Sequence, residues 1–307
     1  MAAEKRGARP RELVPPPDPE KPEVLIEREK REALPAGIAA IASGALALLG
    51  FVFLQAAGRN RPNNDPGRVL HYNDHATQIL VGNILVSLSA LASGYALLYL
   101  YKATKGRRPQ TINAARVCAI AGPVILAISQ IAVQVILLQK AHDFATAGSQ
   151  TYEGAKDILD DSTITALATV SLAGQLALGF AFVIISLNAM RAGLLTRFMG
   201  ILGIIVGVLL VLPVAPSPIV QTVWLFSLGA LFLGRWPSGV PPAWKEGRPI
   251  PWPSQQELRE QAAAAKADER GEEPPDVTAA EPEPATANGA GSSTKRAPQK
   301  RKRKRRR

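Results

Sequence analysis

Six apolar runs, at 34–57, 78–101, 117–139, 163–190, 198–212 and 219–234, alternate with polar connections between a charged N-terminal segment and a long polar C-terminal one. A helix rises about 1.5 Å per residue, so about 20 apolar residues cross about 30 Å of hydrocarbon. The first four runs reach that length. The last two are shorter and flank a turn with prolines at Pro213, Pro216 and Pro218. They fit either two short spans or a hairpin that returns to the side it entered from. No run alternates with period two, and Ala, Leu, Gly and Ile dominate, so helices rather than barrel strands must satisfy the backbone in lipid. The pattern predicts an all-α, polytopic transmembrane bundle of six spans.

Mean hydropathy over the whole chain is only +0.06, because the polar ends dilute an apolar middle. Lys and Arg then orient the runs, since they collect in cytoplasmic connections. Eighteen lie before the first run, after the second, after the fourth and in the exit from the sixth, where Arg235, Lys245 and Arg248 are counted. Five lie in the alternate connections: Arg59, Arg61, Arg68, Lys140 and Lys156. Both termini are therefore expected in the cytoplasm. The first run begins only after some thirty charged and Pro-rich residues, which suits an uncleaved anchor better than a secretory signal. Cys118, the single cysteine, has no partner for an internal disulfide and reads as a small packing residue.

The composition divides the chain into a charged tail (1–33), the bundle (34–235), a Trp- and Pro-rich strap (236–253), a short polar helix (254–270) and a disordered basic tail (271–307). Within the first tail a helix is expected to run from about Glu23 into the first span. Trp236, Trp244 and Trp252 suit the headgroup zone, where the ring is buried and the N–H stays wet. Ser254 with Glu257 forms a capping box for the polar helix. The tail ends in eight consecutive basic residues: Lys300, Arg301, Lys302, Arg303, Lys304, Arg305, Arg306 and Arg307. Such a cluster attracts anionic headgroups at about 1 kcal/mol per residue near the surface. It can also hold nucleic acid by counterion release. Without interleaved aromatics or a folded basic face, base-specific recognition is not supported.

No Asp, Glu, Lys, Arg or His falls inside the six runs, which counts against ion-coupled carriers and voltage sensors. Neutral polar residues do occur there at helical spacing. Asn83 and Ser87 mark the second run, Gln130 and Gln134 the third, Ser171 and Gln175 the fourth. They read as interhelical glue, or as a polar cavity ringed by Asn83, Gln130, Gln134 and Gln175. Ala36, Ala40, Ser43, Ala47 and Gly50 make a stripe of small residues along the first run. Pro123 is expected to kink the third. Gly203 and Gly207 form a GxxxG suited to packing on the sixth run or on a second copy of the chain.

All three histidines lie on the predicted outer side. His71, His75 and His142 offer a candidate Zn²⁺ site if the second run starts early enough to put the first two on one helical face. Asn73 or Asp74 as N-cap of that run would undo the spacing. The acidic residues of 141–162, Asp157 and Asp161 among them, read as solvated charge. No nucleophile elbow, HExxH, P-loop or dinucleotide fingerprint occurs in a usable context, so no enzyme activity and no cofactor is expected.

The segment Asn188-Ala189-Met190-Arg191-Ala192-Gly193-Leu194-Leu195-Thr196-Arg197-Phe198-Met199-Gly200-Ile201-Leu202-Gly203 resembles a basic loop and Gly-rich span of uncharacterised six-span bacterial membrane proteins. The resemblance implies a bacterial plasma-membrane protein and transfers no activity or site residue. The functional expectation is a structural or regulatory scaffold whose basic tail binds anionic lipid or a partner. The alternative is a small-solute or lipid transporter using the polar residues of the second to fourth runs.

Overall fold

The computed structural model describes residues 22–212, 218–237, 239–252 and 259. The chain divides after Trp252 into two units, and of the second only Arg259 is described. The polar helix expected at 254–270 (Arg259 apart), the tails at 1–21 and 271–307, and with them Lys300 to Arg307, lie outside the described residues.

The described residues are helical throughout, with no strand among them. Four long helices dominate: α1 (Pro22–Gly58), α3 (Ala76–Arg107), α4 (Asn113–Thr146) and α6 (Ser162–Arg191). Each is long and apolar enough to cross a membrane. Between them lie two short helices, α2 (Asp65–Asp74) and α5 (Tyr152–Leu159). Then come α7 (Arg197–Val211), α8 (Ile219–Phe232) and the small α9 (Pro242–Glu246). α1 begins at Pro22, well before the first apolar run. Its Leu25 and Glu29 are buried there on the face that continues into Ala36, Ala40, Ser43, Ala47 and Gly50.

Consecutive long helices run antiparallel and close a ring in which α1 packs on α3, α3 on α4, α4 on α6, α6 on α7, and α8 on α1. Large apolar side chains such as Leu49, Val52, Ile128, Val170 and Leu172 point outward, while glycines, alanines and serines face the neighbours. This inverts the soluble pattern. Lipid offers no hydrophobic drive between helices, so small residues let backbones approach. At the α4–α6 crossing, a Cβ on Gly122 would stand 2.7 Å from the Leu178 amide nitrogen. One on Gly174 would stand 2.6 Å from that of Leu126. Gly50 meets Gly82, Gly179 meets Gly207, and Gly37 meets Gly229 in the same backbone-facing way, and the Pro123 ring fills the space beside Gly94. Ser43 and Ser89 add reciprocal hydrogen bonds between α1 and α3, each hydroxyl donating to the other's carbonyl at 2.8 Å.

α7 and α8 do not reach as far as the four long helices. Gly207 sits against Gly179, and Gln175 donates to the Leu210 carbonyl, so α7 ends level with Gln175. From there α6 continues back to Ser162, about 20 Å further. Thr222 and Phe226 lie at Gly44. The start of α8 is thus level with Ala47, and α1 runs on to Gly58, about 16 Å beyond. Gly203 and Gly207 face α6, with Gly203 also meeting Trp224 of α8.

The bundle therefore has two unlike ends. One, the basic end, gathers the start of α1, the end of α3, the α6–α7 loop and α9 around a core that includes Tyr99, Phe182, Trp224 and Phe232. At the other, the far end, a small separate cluster joins Val69, Ala141, Phe144 and Ala155 of α2, α4 and α5.

Gly174→Val is expected to destabilise the protein by about 1–3 kcal/mol through overpacking against rigid backbone. Gly58→Ala, with nothing within 4 Å of the added methyl, should leave stability unchanged. Thermal unfolding in detergent measures both, and a Gly174→Val protein as stable as wild type would contradict the close α4–α6 crossing.

Candidate functional site

The four polar residues singled out in the runs do not share one cavity. Gln130 donates from Nε2 to Asn83 Oδ1 at 2.9 Å, and Ser171 donates to Gln130 Oε1 at 3.1 Å. Asn83 Nδ2 in turn bonds the Ile79 carbonyl at 2.7 Å. The chain of bonds ties α3, α4 and α6 together, and both side-chain amides are occupied. Gln175, one turn on from Ser171 along α6, is bonded instead to α7 at the Leu210 carbonyl. Gln134 has a buried Oε1 with no hydrogen-bond partner among the described residues.

A cavity of about 480 Å³ lies where the described ends of α7 and α8 stop. Its walls are Phe51, Leu54, Val86, Leu178, Leu209 and neighbours, with Gln175, Gln221 and Ser89 as its polar groups. Among the described residues no ionisable side chain lines it. Such a lining suits an apolar or neutral guest and provides no acid, base or nucleophile.

The histidines are engaged separately. His71 Nε2 bonds the Ala57 carbonyl at 2.6 Å, His75 Nδ1 bonds the His71 carbonyl at 3.1 Å, and the two ring centroids lie 4.1 Å apart with the planes tilted by 33°. His142 Nδ1 pairs with Asn73 Oδ1 at 3.3 Å. Among the described residues no group of three or more His, Cys, Asp or Glu is placed to hold a metal ion. The reason is local. α2 extends through Asn73 and Asp74, so His75 rather than either of them precedes α3, and the ring nitrogens turn to backbone and amide oxygens. Asp161 does not continue α5 but caps α6, accepting from Thr163 and Ile164 N–H at 2.8 and 3.1 Å. Its carboxylate also meets Lys140 at 2.7 Å. The Lys140 hydrogen bond, then the backbone ones, hold its pKa down from 3.8 to about 2.

The densest chemistry is at the basic end, and composition did not announce it. Arg107 and Glu29 form a two-pronged ion pair there, Arg107 Nη2 to Glu29 Oε2 at 2.9 Å with a second bond from Nη1. The Arg107 side chain is 0% exposed and that of Glu29 7%. Arg107 also donates to the Ala103 and Ala243 carbonyls, both at 3.0 Å, and stands 5.5 Å over the Trp244 ring. Tyr99 donates to the Glu29 carbonyl at 3.1 Å and stacks on Trp244. The sequence signal was spacing: Glu29 continues the buried stripe of α1 two turns back from Ala36, and Arg107 continues that of α3 one turn on from Ala103.

The strap folds onto the protein. Trp244 Nε1 donates to the Leu194 carbonyl at 2.9 Å, Trp252 Nε1 to that of Leu195 at 2.8 Å, and the Ile250 N–H to that of Ala192 at 3.2 Å. Three consecutive points of the α6–α7 loop are thereby fastened. A half-buried indole needs an acceptor for its N–H, and these loop carbonyls supply it.

Comparison with protein-family models, with curated proteins and with solved structures finds no match to this chain.

Arg107→Met strands the Glu29 carboxylate in a buried site and is expected to cost about 3–5 kcal/mol. The double change with Glu29→Met should recover most of the loss, because two apolar groups replace the pair. Denaturant or thermal unfolding of the single and double variants measures this. Additive losses would mean that the two side chains do not act as a pair.

Proposed function

We propose that this chain is a non-enzymatic, multi-pass anchor of a bacterial plasma membrane. On this reading its basic end is cytoplasmic and presents the polybasic tail to anionic headgroups or a partner. α1, α3, α4 and α6 cross the bilayer, and α7 with α8 forms a hairpin that enters from the basic side and turns near the midplane. The orientation draws on the distribution of Lys and Arg. The depth of the hairpin draws on α7 ending level with Gln175.

The observation that carries the anchor reading is the use made of the polar side chains. Asn83, Gln130 and Ser171 are spent on one another across three helices, and the basic end is strapped by α9 and its neighbours. Such a body holds a position rather than opening a path.

The tail contact is tested with full-length protein in nanodiscs, where both faces are accessible to trypsin. Cleavage within Lys300 to Arg307 should be several-fold slower in discs containing phosphatidylglycerol than in phosphatidylcholine discs. The difference should vanish at about 1 M salt, where the Debye length falls to about 3 Å. Equal cleavage in both lipids would remove headgroup binding from the reading.

The cavity beside Gln175 and Gln221 favours a second reading, a transporter of small neutral solutes or lipid. If it is a vestibule reached by water, Gln221→Cys in a Cys118→Ser chain should react with a membrane-impermeant maleimide. A cysteine that stays unlabelled until detergent is added would leave the anchor reading alone.

A further inference from the structure

The cavity of about 480 Å³ at the described ends of α7 and α8 is walled by all six apolar helices. Phe51 of α1, Val86 of α3, Leu126 of α4, Leu178 of α6, Leu209 of α7 and Val220 of α8 all line it. It is thus the interior of the ring and not a dent on the outer surface, where apolar side chains are the rule. Beyond those ends α1 and α6 continue toward the far end with no packed interface between them, and among the described residues no element stands between the two. The ring is closed in its basic half and open to one side in the other, at the depth of the hydrocarbon.

Three polar side chains reach this cavity. The Ser89 hydroxyl is engaged by Ser43, and the Gln175 amide nitrogen donates to the Leu210 carbonyl. Gln221 has no hydrogen-bond partner among the described residues. Lipid chains offer neither donor nor acceptor, so a carboxamide at that depth is satisfied only by a guest that carries them. The guest's polar group must also be neutral. Among the described residues the lining holds no ionisable side chain, and an ion or a phosphate would lie there without a counter-charge. A hydroxyl beside ester carbonyls, borne on hydrocarbon chains, meets these conditions: it donates, it accepts, it is uncharged, and its chains match both the walls and the open side.

We propose that the cavity binds a neutral lipid of the diacylglycerol class, its hydroxyl and ester groups on Gln221 and its chains running out between α1 and α6. The proposal rests on reading the α7–α8 hairpin as lying inside the bilayer. It names the ligand of the cavity that the transporter reading invokes, and a lipid fixed there suits an anchor as well.

The test uses full-length protein in neutral detergent, with thermal stability followed during titration and bound lipid counted by native mass spectrometry. Dioleoylglycerol should add one saturable lipid and raise the melting temperature. Dioleoylphosphatidylcholine, with the same chains on a charged headgroup, and hexadecane, a chain without polar groups, should not. Gln221→Leu removes only an unpartnered amide, so it should keep the lipid-free melting temperature. It should weaken the dioleoylglycerol titration about fivefold, which is about 1 kcal/mol and the worth of one hydrogen bond. Leu209→Trp, which fills the cavity, should abolish the effect. No shift with dioleoylglycerol, an equal shift with either control, or a wild-type titration by Gln221→Leu would each overturn the proposal. The depth of the hairpin is read separately in nanodiscs, from a fluorophore on Ile219→Cys in a Cys118→Ser chain, since Ile219 is exposed and outside the cavity lining. Stronger quenching by a nitroxide deep on the lipid chain than by one on the headgroup, with no dioleoylglycerol effect, would overturn the lipid site and leave the hairpin standing. Stronger quenching from the headgroup would overturn the hairpin and the lipid site with it.

Discussion

Every contact in the apolar part of this protein is governed by one constraint: helices surrounded by hydrocarbon gain nothing by burying leucine against leucine. What remains is backbone proximity, dispersion and the occasional hydrogen bond. The ring is therefore held at Gly122 and Gly174, Gly50 and Gly82, Gly179 and Gly207, and Gly37 and Gly229, where carbonyl or amide groups of one helix meet the α-carbon of another. The polar trio of Asn83, Gln130 and Ser171 works within the same constraint. An amide in lipid must find partners, and three helices that supply them to one another are locked in register.

Beyond the apolar zone the rules change, and the basic end uses interactions the bundle cannot. A two-pronged ion pair, stacked aromatics and indole N–H bonds to loop carbonyls hold the start of α1, the end of α3, the α6–α7 loop and α9 to each other. Glu29 and Arg107 are buried here by protein rather than lipid, with Ala103 and Ala243 carbonyls accepting two more of the guanidinium hydrogens. Removing one partner is costly because it leaves the other charge buried and unpaired.

The helical class and the four long helices were legible because a stretch of 24 apolar residues in 34–57 has few alternatives. The small-residue stripe of α1 was legible too, since Ala36, Ala40, Ser43, Ala47 and Gly50 recur with the helical period and are all buried. The depth of α7 and α8 was left open, because run length cannot distinguish a short span from a hairpin; the level of Gly207 and Gln175 on α6 supports the hairpin reading proposed above. The partners of the polar residues were illegible for a related reason. Helical spacing says which residues share a face, not which face meets which, so Gln175 was grouped with Gln130 although the two bond to different helices. The Glu29–Arg107 pair was missed because both residues sit outside the apolar runs, Glu29 being read as part of the charged N-terminal tail and Arg107 as loop charge. The strap was recognised as Trp- and Pro-rich, but the hydrogen-bond needs of its indoles were assigned to water. Loop carbonyls at Leu194 and Leu195 meet them instead.

The unequal reach of the helices makes the body a wedge. On the orientation proposed above, six helices occupy the cytoplasmic half of the bilayer and four the outer half. The protein then displaces more lipid area from one leaflet than from the other, and the space beyond the described ends of α7 and α8 is left to whatever the outer leaflet supplies. A molecule of that shape is coupled mechanically to its membrane: packing stress that crowds the inner leaflet acts on the hairpin, while stress in the outer leaflet acts on the cavity above it.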